Sequence, residues 1–362
     1  MTKATAVLVL NYNGKIHLDD CFRSVLAQIG PRDKVYLVDN GSTDGSVEYV
    51  RERYPAVRRI LFARNLGFAE AYNRAVRIVE EEFVVFLNND VQVEKGWLVE
   101  LKSVFEKSND RVAACGSKIL FYHDRGLVNH AGGKLVRIGG GIDRDFMKHE
   151  KRAEHGKEYV GCVSGASMIV PRSVFLSLGG FDPDFFAYFE DVDYCWRAWL
   201  VGFRVLYVPS SIMYHKFSAT MGPLLTPERV FLGERNRLQT MLENLELHNA
   251  VAAVVVSSAY LVSRLAAFLT QRRLRVALAI LRGNWWILRH FPGIILKRRR
   301  VQRSRRLRDN FFLTHGLMTT YLEGFREFAR LRHLERDLNR IGGWSKQDRR
   351  RARDSSRSRQ NK

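Results

Sequence analysis

Phe83-Val84-Val85-Phe86-Leu87-Asn88-Asn89-Asp90-Val91 is the stretch whose reading decides the fold. An unbroken apolar run, without alternation, suits a strand covered on both faces, as in a parallel sheet flanked by helices. Such strands present ligands at their carboxyl ends. Here that end carries two amides and a carboxylate, groups that hold an oxygen-loving divalent cation or donate to a diphosphate. Asn and Asp are also ordinary turn residues, so the stretch has to be read with its surroundings.

Towards the N-terminus the same unit repeats. Ala6–Leu10 is a predicted strand stopped by Asn11-Tyr12-Asn13-Gly14, and Leu18, Cys21, Phe22, Val25 and Leu26 follow at helical spacing. Val35–Val38 is a second strand, broken by Asp39-Asn40-Gly41-Ser42-Thr43-Asp44 before a helix through Val47 and Val50. Arg59–Ala63 is a third, and Arg64-Asn65-Leu66-Gly67-Phe68-Ala69 opens another helix. This βαβ rhythm predicts an α/β fold with a doubly wound, mostly parallel sheet and helices on both faces. In such a sheet the polar turns gather at one edge and outline a nucleotide-sized pocket.

Towards the C-terminus come a helix around Trp97–Phe105, a strand over Val112–Ser117, and a glycine- and charge-rich stretch, 132–156, expected to be a mobile loop. Cys162–Val170 reads as a strand that opens with small residues, so that Gly165 and Ala166 let a substrate lie against the backbone. Pro171 starts a helix ending at Gly179-Gly180. The segment Phe181–Arg197 combines acids with aromatics suited to a saccharide, Trp196 among them. Asp182, Asp184 and Asp193 read as caps or packing acids. Glu190 and Asp191 stand at the positive end of a helix. A carboxylate beside another in an aromatic setting has a raised pKa, as a general base near neutrality requires. Phe203–Val208 is a further strand, with His215 beyond Pro209.

The chain of 362 residues has room for one large α/β domain with an appendage, or for two domains. Residues 1–249 hold 32 Lys and Arg against 31 Asp and Glu, while 250–362 hold 27 against 7. A nearly neutral body therefore carries a basic tail region. Four widely spaced cysteines and no Cys-x-x-Cys pair argue against a disulfide framework or a zinc site and for a reducing compartment. Met1-Thr2-Lys3 leads directly into an apolar strand, so a body kept in the cytosol is expected.

In the tail, Ala250–Thr270 is apolar and long enough to cross a bilayer. Arg264, Arg275, Arg282 and Arg289, on one continuous helix, fall within about 20° of one line. Such a cationic stripe on an apolar helix with Trp285 and Trp286 belongs in a membrane interface. Gly283 is placed to bend that helix and Pro292-Gly293 to end it. Lys297-Arg298-Arg299-Arg300, with Arg303, Arg305, Arg306 and Arg308, is a polybasic cluster suited to anionic lipid. Nucleic acid competes as the partner, and the apolar neighbour favours the membrane. Packing of these helices on the body or on a second subunit, as a homo-oligomer, is the structural alternative. Residues 309–340 read as helical and 345–362 as disordered.

Taken in order, Asn11-Tyr12-Asn13, Val38–Asp44, Arg64–Ala69, Asn88-Asn89-Asp90, Gly180-Phe181-Asp182, Phe189-Glu190-Asp191-Val192-Asp193 and His215 resemble glycosyltransferase family 2 over roughly residues 5–240. These are inverting, nucleotide-sugar-dependent enzymes of GT-A fold, and the likeness is greatest to their rhamnosyltransferase and galactofuranosyltransferase-like branch. The resemblance implies that Asp39 binds the base, with Asn11, Tyr12, Asn13, Arg64, Asn65, Asn88 and Asn89 on the donor side. It implies that Asp90 and His215 hold a divalent cation, Mg²⁺ or Mn²⁺, and that Asp191 is the catalytic base. Glu190, Gly165, Ala166 and Trp196 then face the acceptor. Asn88 departs from the family's Asp-x-Asp signature and supplies no charge there, which ties the metal more closely to the donor diphosphate. The expected donor is a UDP- or dTDP-sugar, and the expected acceptor a glycan or polyprenyl-linked glycan at the cytoplasmic side of the cell membrane. The implied division is a GT-A domain over 1–245, a basic membrane-associating helical region over 246–344 and a disordered tail. A sugar nucleotidyltransferase and a non-catalytic carbohydrate- or lipid-binding scaffold stay open as alternatives.

Overall fold

The computed structural model describes residues 3–107, 111–152, 155–216 and 226–333. The first half alternates strand and helix: β1 (Thr5–Asn11), α1 (Leu18–Leu26), β2 (Lys34–Asp39), α2 (Ser46–Arg53), β3 (Arg58–Leu61), α3 (Gly67–Ile78) and β4 (Phe83–Asn88). Then follow β5 (Val91–Val93), α4 (Trp97–Lys107), β6 (Val112–Phe121), β7 (Val128–His130), β8 (Gly133–Val136), β9 (Gly141–Asp143), β10 (Glu158–Tyr159) and β11 (Ser167–Pro171). The second half continues with α5 (Arg172–Ser177), α6 (Glu190–Leu200), β12 (Arg204–His215), α7 (Pro227–Asn244), α8 (Leu247–Thr270), α9 (Leu274–Arg289), α10 (Phe291–Ser304), α11 (Asp309–Thr314), β13 (Met318–Thr319) and α12 (Tyr321–His333).

The main sheet runs β10-β12-β6-β11-β4-β1-β2-β3. It is parallel across β3-β2-β1-β4 and mixed beyond, because β11 enters antiparallel to both β4 and β6. The doubly covered strand is there: Val84 and Phe86 of β4 enter one core with Tyr72 and Tyr194, while Phe83, Val85 and Leu87 enter the other with Phe22, Trp97 and Leu101. Register sets the site, since Asn11 lies opposite Asp39 and Leu10 opposite Asn88, so three polar strand ends share one edge.

Several expectations need correction. The 132–156 stretch is not a bare loop. Strands β8 and β9 form a second small sheet with β13, burying Leu135, Val136 and Ile138, and its glycines admit neighbours such as the Cys162 sulfur beside Gly133. Strand β12 passes through Pro209, which is tolerated because the register with β6 shifts between Val208 and Ile212. The small residues 162–166 precede β11, Cys162 bridging to Gly133 and 165–166 forming a turn. Residues 309–333 hold a strand as well as helices, and those from 334 on, including the expected disordered tail, lie outside the described residues.

The arginine stripe is also broken. Helices α8 and α9 are separate, with Arg272 at φ 53° between them, so Arg264 does not continue the line of Arg275, Arg282 and Arg289. Gly283 gives α9 a close approach to Glu234 and Arg235 of α7 instead of a bend, and Pro292 sits in the first turn of α10. Within the polybasic cluster, Lys297, Arg298 and Arg305 turn inward. Lys297 binds Asp182 (2.5 Å) and Asp184 (2.6 Å), Arg298 donates to the Leu242 and Leu245 carbonyls, and Arg305 donates to that of Asn244. Arg298, Arg305 and Gln302 together satisfy carbonyls that α7 leaves free at its end. Arg299, Arg300, Arg303, Arg306 and Arg308 remain exposed.

Candidate active site

The donor-side turns are braced by their own side chains. Asn11 Nδ2 donates to Asp39 Oδ1 (3.0 Å) and to the Ser42 hydroxyl (3.0 Å), Asn89 Nδ2 donates to Asn11 Oδ1 (2.7 Å), and the Ser42 amide donates to Asp39 Oδ2 (2.9 Å). Asn13 accepts from the Thr43 amide, and Asn65 accepts from Asn40 Nδ2 and the Gly67 amide. Asp39 is buried with both oxygens engaged, so its first role is to fix the turn. Tyr12 is half-buried beside this network and Arg64 is exposed at its mouth. Gly41 has φ 81°, and a Cβ there would lie 2.7 Å from the Arg64 backbone, so only glycine lets the two turns touch.

Asp90 and His215 meet, although 125 positions separate them, because β12 pairs with β5 directly after Asp90. His215 Nε2 lies 3.2 Å from Asp90 Oδ1 and 3.4 Å from Asn88 Nδ2. His215 Nδ1 lies 3.1 Å from Asn129 Oδ1, which orients the ring, and with a cation bound a proton on Nδ1 would leave the Nε2 lone pair to the metal. Burial alone would raise the Asp90 carboxyl, but the charge and hydrogen bond of His215, with His17 behind it, bring it below the usual carboxylate range. A carboxylate and an imidazole facing each other fit Mg²⁺ or Mn²⁺. Among the described residues no group of three or more His, Cys, Asp or Glu gathers as a metal site. Diphosphate oxygens and water would thus complete the shell.

Asp191 stands in the first turn of α6, where its Oδ2 accepts from the Gly165 amide (2.7 Å) and its Oδ1 from the Val192 amide (2.8 Å). Burial nevertheless pushes its carboxyl up. Glu190 is buried more deeply, one of its oxygens has no partner, and burial followed by the Asp191 charge holds it well above the ordinary range. The turn 164–166 joins the two halves. Ala166 O accepts from the Asn88 amide (3.2 Å), the Gly165 amide reaches Asp191, and the Ser164 amide donates to His130 Nε2 (3.2 Å), next in sequence to Asn129. The structure therefore brings Asn88 and Asp191 to one short turn with Gly165 and Ala166, Glu190 being next to Asp191 in sequence, and ties Asp90 and His215 to that turn through Asn88.

Trp196 is a correction. It is 0 % exposed, in the core with Tyr194 and Trp199, and offers no face to an acceptor. Asp182 and Asp193 are caps and packing acids as expected: Asp182 accepts from the Asp184 amide, and Asp193 pairs with Arg197 (2.7 Å) and accepts from Asn244. Asn129 and His130 were missed, since nothing local marks residues whose partners come from a strand end over 80 positions away and from the turn 164–166.

Comparison with known proteins gives the family and the fold. A family model described as Glycosyl transferase family 2 matches residues 6–176. The N-acetylglucosaminyl-diphospho-decaprenol L-rhamnosyltransferase of Mycobacterium tuberculosis is 30 % identical over 243 residues, 61 % of this chain and 78 % of the relative. The chain belongs to glycosyltransferase family 2. Rhamnosyltransferase WbbL of Escherichia coli K12 is 27 % identical over 161 residues, 42 % of this chain and 60 % of that one. Among solved structures, GalNAc-T7 with UDP, GalNAc and Mn²⁺ superposes with a TM-score of 0.55 at 17 % identity, over 67 % of this chain and 48 % of the other. This likeness supports the GT-A fold. The family 2 core carries the strand ends and Asp90, while His215 and Asp191 lie beyond the stretch matched by the family model.

Proposed function

We propose that this glycosyltransferase moves a sugar, L-rhamnose as in the names of its relatives, from a UDP- or dTDP-linked donor to a hydroxyl of a polyprenyl-linked glycan, with inversion. One observation supports the reading: Asp191 accepts from the Gly165 amide, the Asn88 amide donates to the Ala166 carbonyl, and His215 lies 3.4 Å from Asn88 and 3.2 Å from Asp90, so the proposed base and the proposed diphosphate site are tied to one turn, 164–166. Asp191, unprotonated, takes the proton from the acceptor hydroxyl, whose oxygen attacks the anomeric carbon opposite the leaving diphosphate. A single displacement inverts that centre. A divalent cation on Asp90 and His215 would supply positive charge against the departing diphosphate. Glu190 lies beside the acceptor, and the small residues Gly165 and Ala166 let the sugar ring approach the backbone.

The region from 246 onward is proposed to hold the enzyme against the cytosolic face of a membrane, apart from the catalytic unit of residues 1–245. Helix α8 has the length and composition to span. It nevertheless runs antiparallel along α7, with Arg264 on Glu234, Ser257 by Arg237 and Met241, and Phe268 in one cluster with Val230. Crossing a bilayer would pull it from that bed. A flat, interfacial placement keeps both the bed and the exposed apolar face.

The test is product analysis. Full-length protein, dTDP-L-rhamnose, Mn²⁺ and a polyprenyl-diphospho-N-acetylglucosamine acceptor are expected to give a rhamnosylated lipid with inverted anomeric configuration by NMR. Absence of rhamnosylated lipid, with pyrophosphate released from dTTP and a sugar 1-phosphate in a parallel assay, would overturn the proposal in favour of nucleotidyl transfer.

A further inference from the structure

The backbone just before Glu190 and Asp191 is bent against its residue types. Phe186, Tyr188 and Phe189 have φ of 61°, 75° and 66°, in the left-handed region that aromatic residues disfavour. Such a bend persists only where its surroundings over-determine it. Here the surroundings are largely one side chain. Asn236 of α7, 0 % exposed, directs Nδ2 at the carbonyls of Phe185 (2.9 Å), Ala187 (2.8 Å) and Tyr188 (2.7 Å), two protons shared among three acceptors. Its Oδ1 accepts from Arg235 Nε (2.8 Å), and Arg235 Nη2 donates to the carbonyls of Asp184 (2.5 Å) and Phe185 (2.9 Å), with the Trp286 ring 4.7 Å from the guanidinium.

The bend carries α6 directly and touches the donor side only at Phe186, whose carbonyl Asn236 does not bind. Phe189 caps α6, so the bend decides where Asp191 meets the Gly165 amide. The Phe186 carbonyl accepts from the Phe68 amide (2.5 Å) in the first turn of α3, next to the donor-side turn. Gly67 makes that approach available, since a Cβ there would lie 2.5 Å from the Phe186 ring.

We propose that Asn236 is a positioning residue for the transfer: it holds the left-handed bend at 186–189 and so fixes Asp191 in the geometry for proton abstraction. The inference rests on Asp191 being the base, and the test separates the two claims. Asn236→Asp keeps the size but turns oxygen towards three carbonyls, and Asn236→Ala removes the contacts. On the full chain, Tm, calorimetric binding of dTDP-L-rhamnose, kcat, KM and the pH–rate profile are measured beside Asp191→Asn. Both Asn236 variants are expected to bind the donor within about threefold of the unaltered chain. Their kcat is expected to fall roughly ten- to a hundredfold, as for a reacting group displaced by about 1 Å, and the acid limb of the profile to move. Unchanged kcat and pH profile would overturn the proposal, as would parallel collapse of Tm, donor binding and kcat in both variants. Full turnover in Asp191→Asn would instead remove the base assignment.

Discussion

Glu190 and Asp191 are adjacent, yet their surroundings give them different work. Asp191 has two backbone donors and reaches the 164–166 turn, whereas Glu190 keeps an unpartnered oxygen in a buried place. Asp191→Asn is expected to lower kcat by roughly 10²–10⁴, the range for loss of a general base, with donor affinity preserved in a binding titration. Because burial raises the Asp191 carboxyl, the acid limb of kcat should lie above the titration of an ordinary aspartate near about 4. For Glu190 the raised value means that the folded chain holds the proton more tightly than the unfolded one. The stability tied to that proton is full below the unfolded value of about 4.3 and is lost as pH rises through the folded one. Glu190→Gln should therefore melt higher than the unaltered chain at pH 7–8, the gap closing towards pH 4 in thermal scans. Asp90 and Asp191 each stand in a short local pattern, whereas His215, a lone histidine, is picked out only by the family resemblance. Asn236 was not legible, since its three acceptors lie about 50 positions away. Trp196 was misread from its acidic neighbours, although its spacing from Val192 and Trp199 places it on the inner face of α6.

At the scale of elements, α7 is the part that sequence patterning conceals. It looks polar all round, yet it buries Glu234, Arg235, Asn236, Arg237, Gln239, Thr240, Glu243 and Asn244 between the catalytic body and α8–α10. Periodicity finds helices with one apolar stripe; a helix sandwiched through polar pairs leaves no such trace. Burial would raise Glu234, but Arg237 (2.8 Å) and Arg264 pull it down to about 2. Its stabilisation is therefore present above the unfolded carboxyl value and disappears as pH falls towards 2. Glu234→Leu is expected to cost roughly 3–5 kcal/mol, because it strands two guanidinium groups in a buried setting. Chemical denaturation at pH 7 checks this, and the difference should shrink below pH 4. The strands in 132–156 were hidden for a related reason. Glycines chosen for close approach to Cys162 and Val192 look like loop glycines when their neighbours are unknown.

Across the whole molecule, the surface is asymmetric. On α9, Leu274, Leu278, Leu281, Trp285 and Leu288 form an exposed stripe, Trp285 being 65 % exposed, with Arg275, Arg282 and Arg289 each one position on. Val251, Val255 and Val262 of α8 and Leu296 of α10 are exposed as well. An apolar face of this extent, rimmed by arginine, fits a lipid boundary better than water. The double change Leu278→Glu with Trp285→Glu should lower co-sedimentation with anionic vesicles at least about tenfold, given roughly 1.5–3 kcal/mol for each large apolar side chain. Tm and transfer to a short-chain soluble acceptor should hold. Failure of vesicle binding to change would move this face to a contact between subunits. The βαβ half, the basic tail and its apolar helix were legible as segments; their packing was not, because the sequence does not show which arginines turn inward.

That inward turn bears on how a lipid-free catalyst is made. A cut after Leu245 looks convenient, yet it discards Lys297, Arg298, Gln302 and Arg305, leaving Asp182 and Asp184 without their ammonium and the last carbonyls of α7 uncapped. The stretch proposed to face lipid is also a splint, and exchanging its outward leucines and tryptophan for polar residues would spare what amputation destroys.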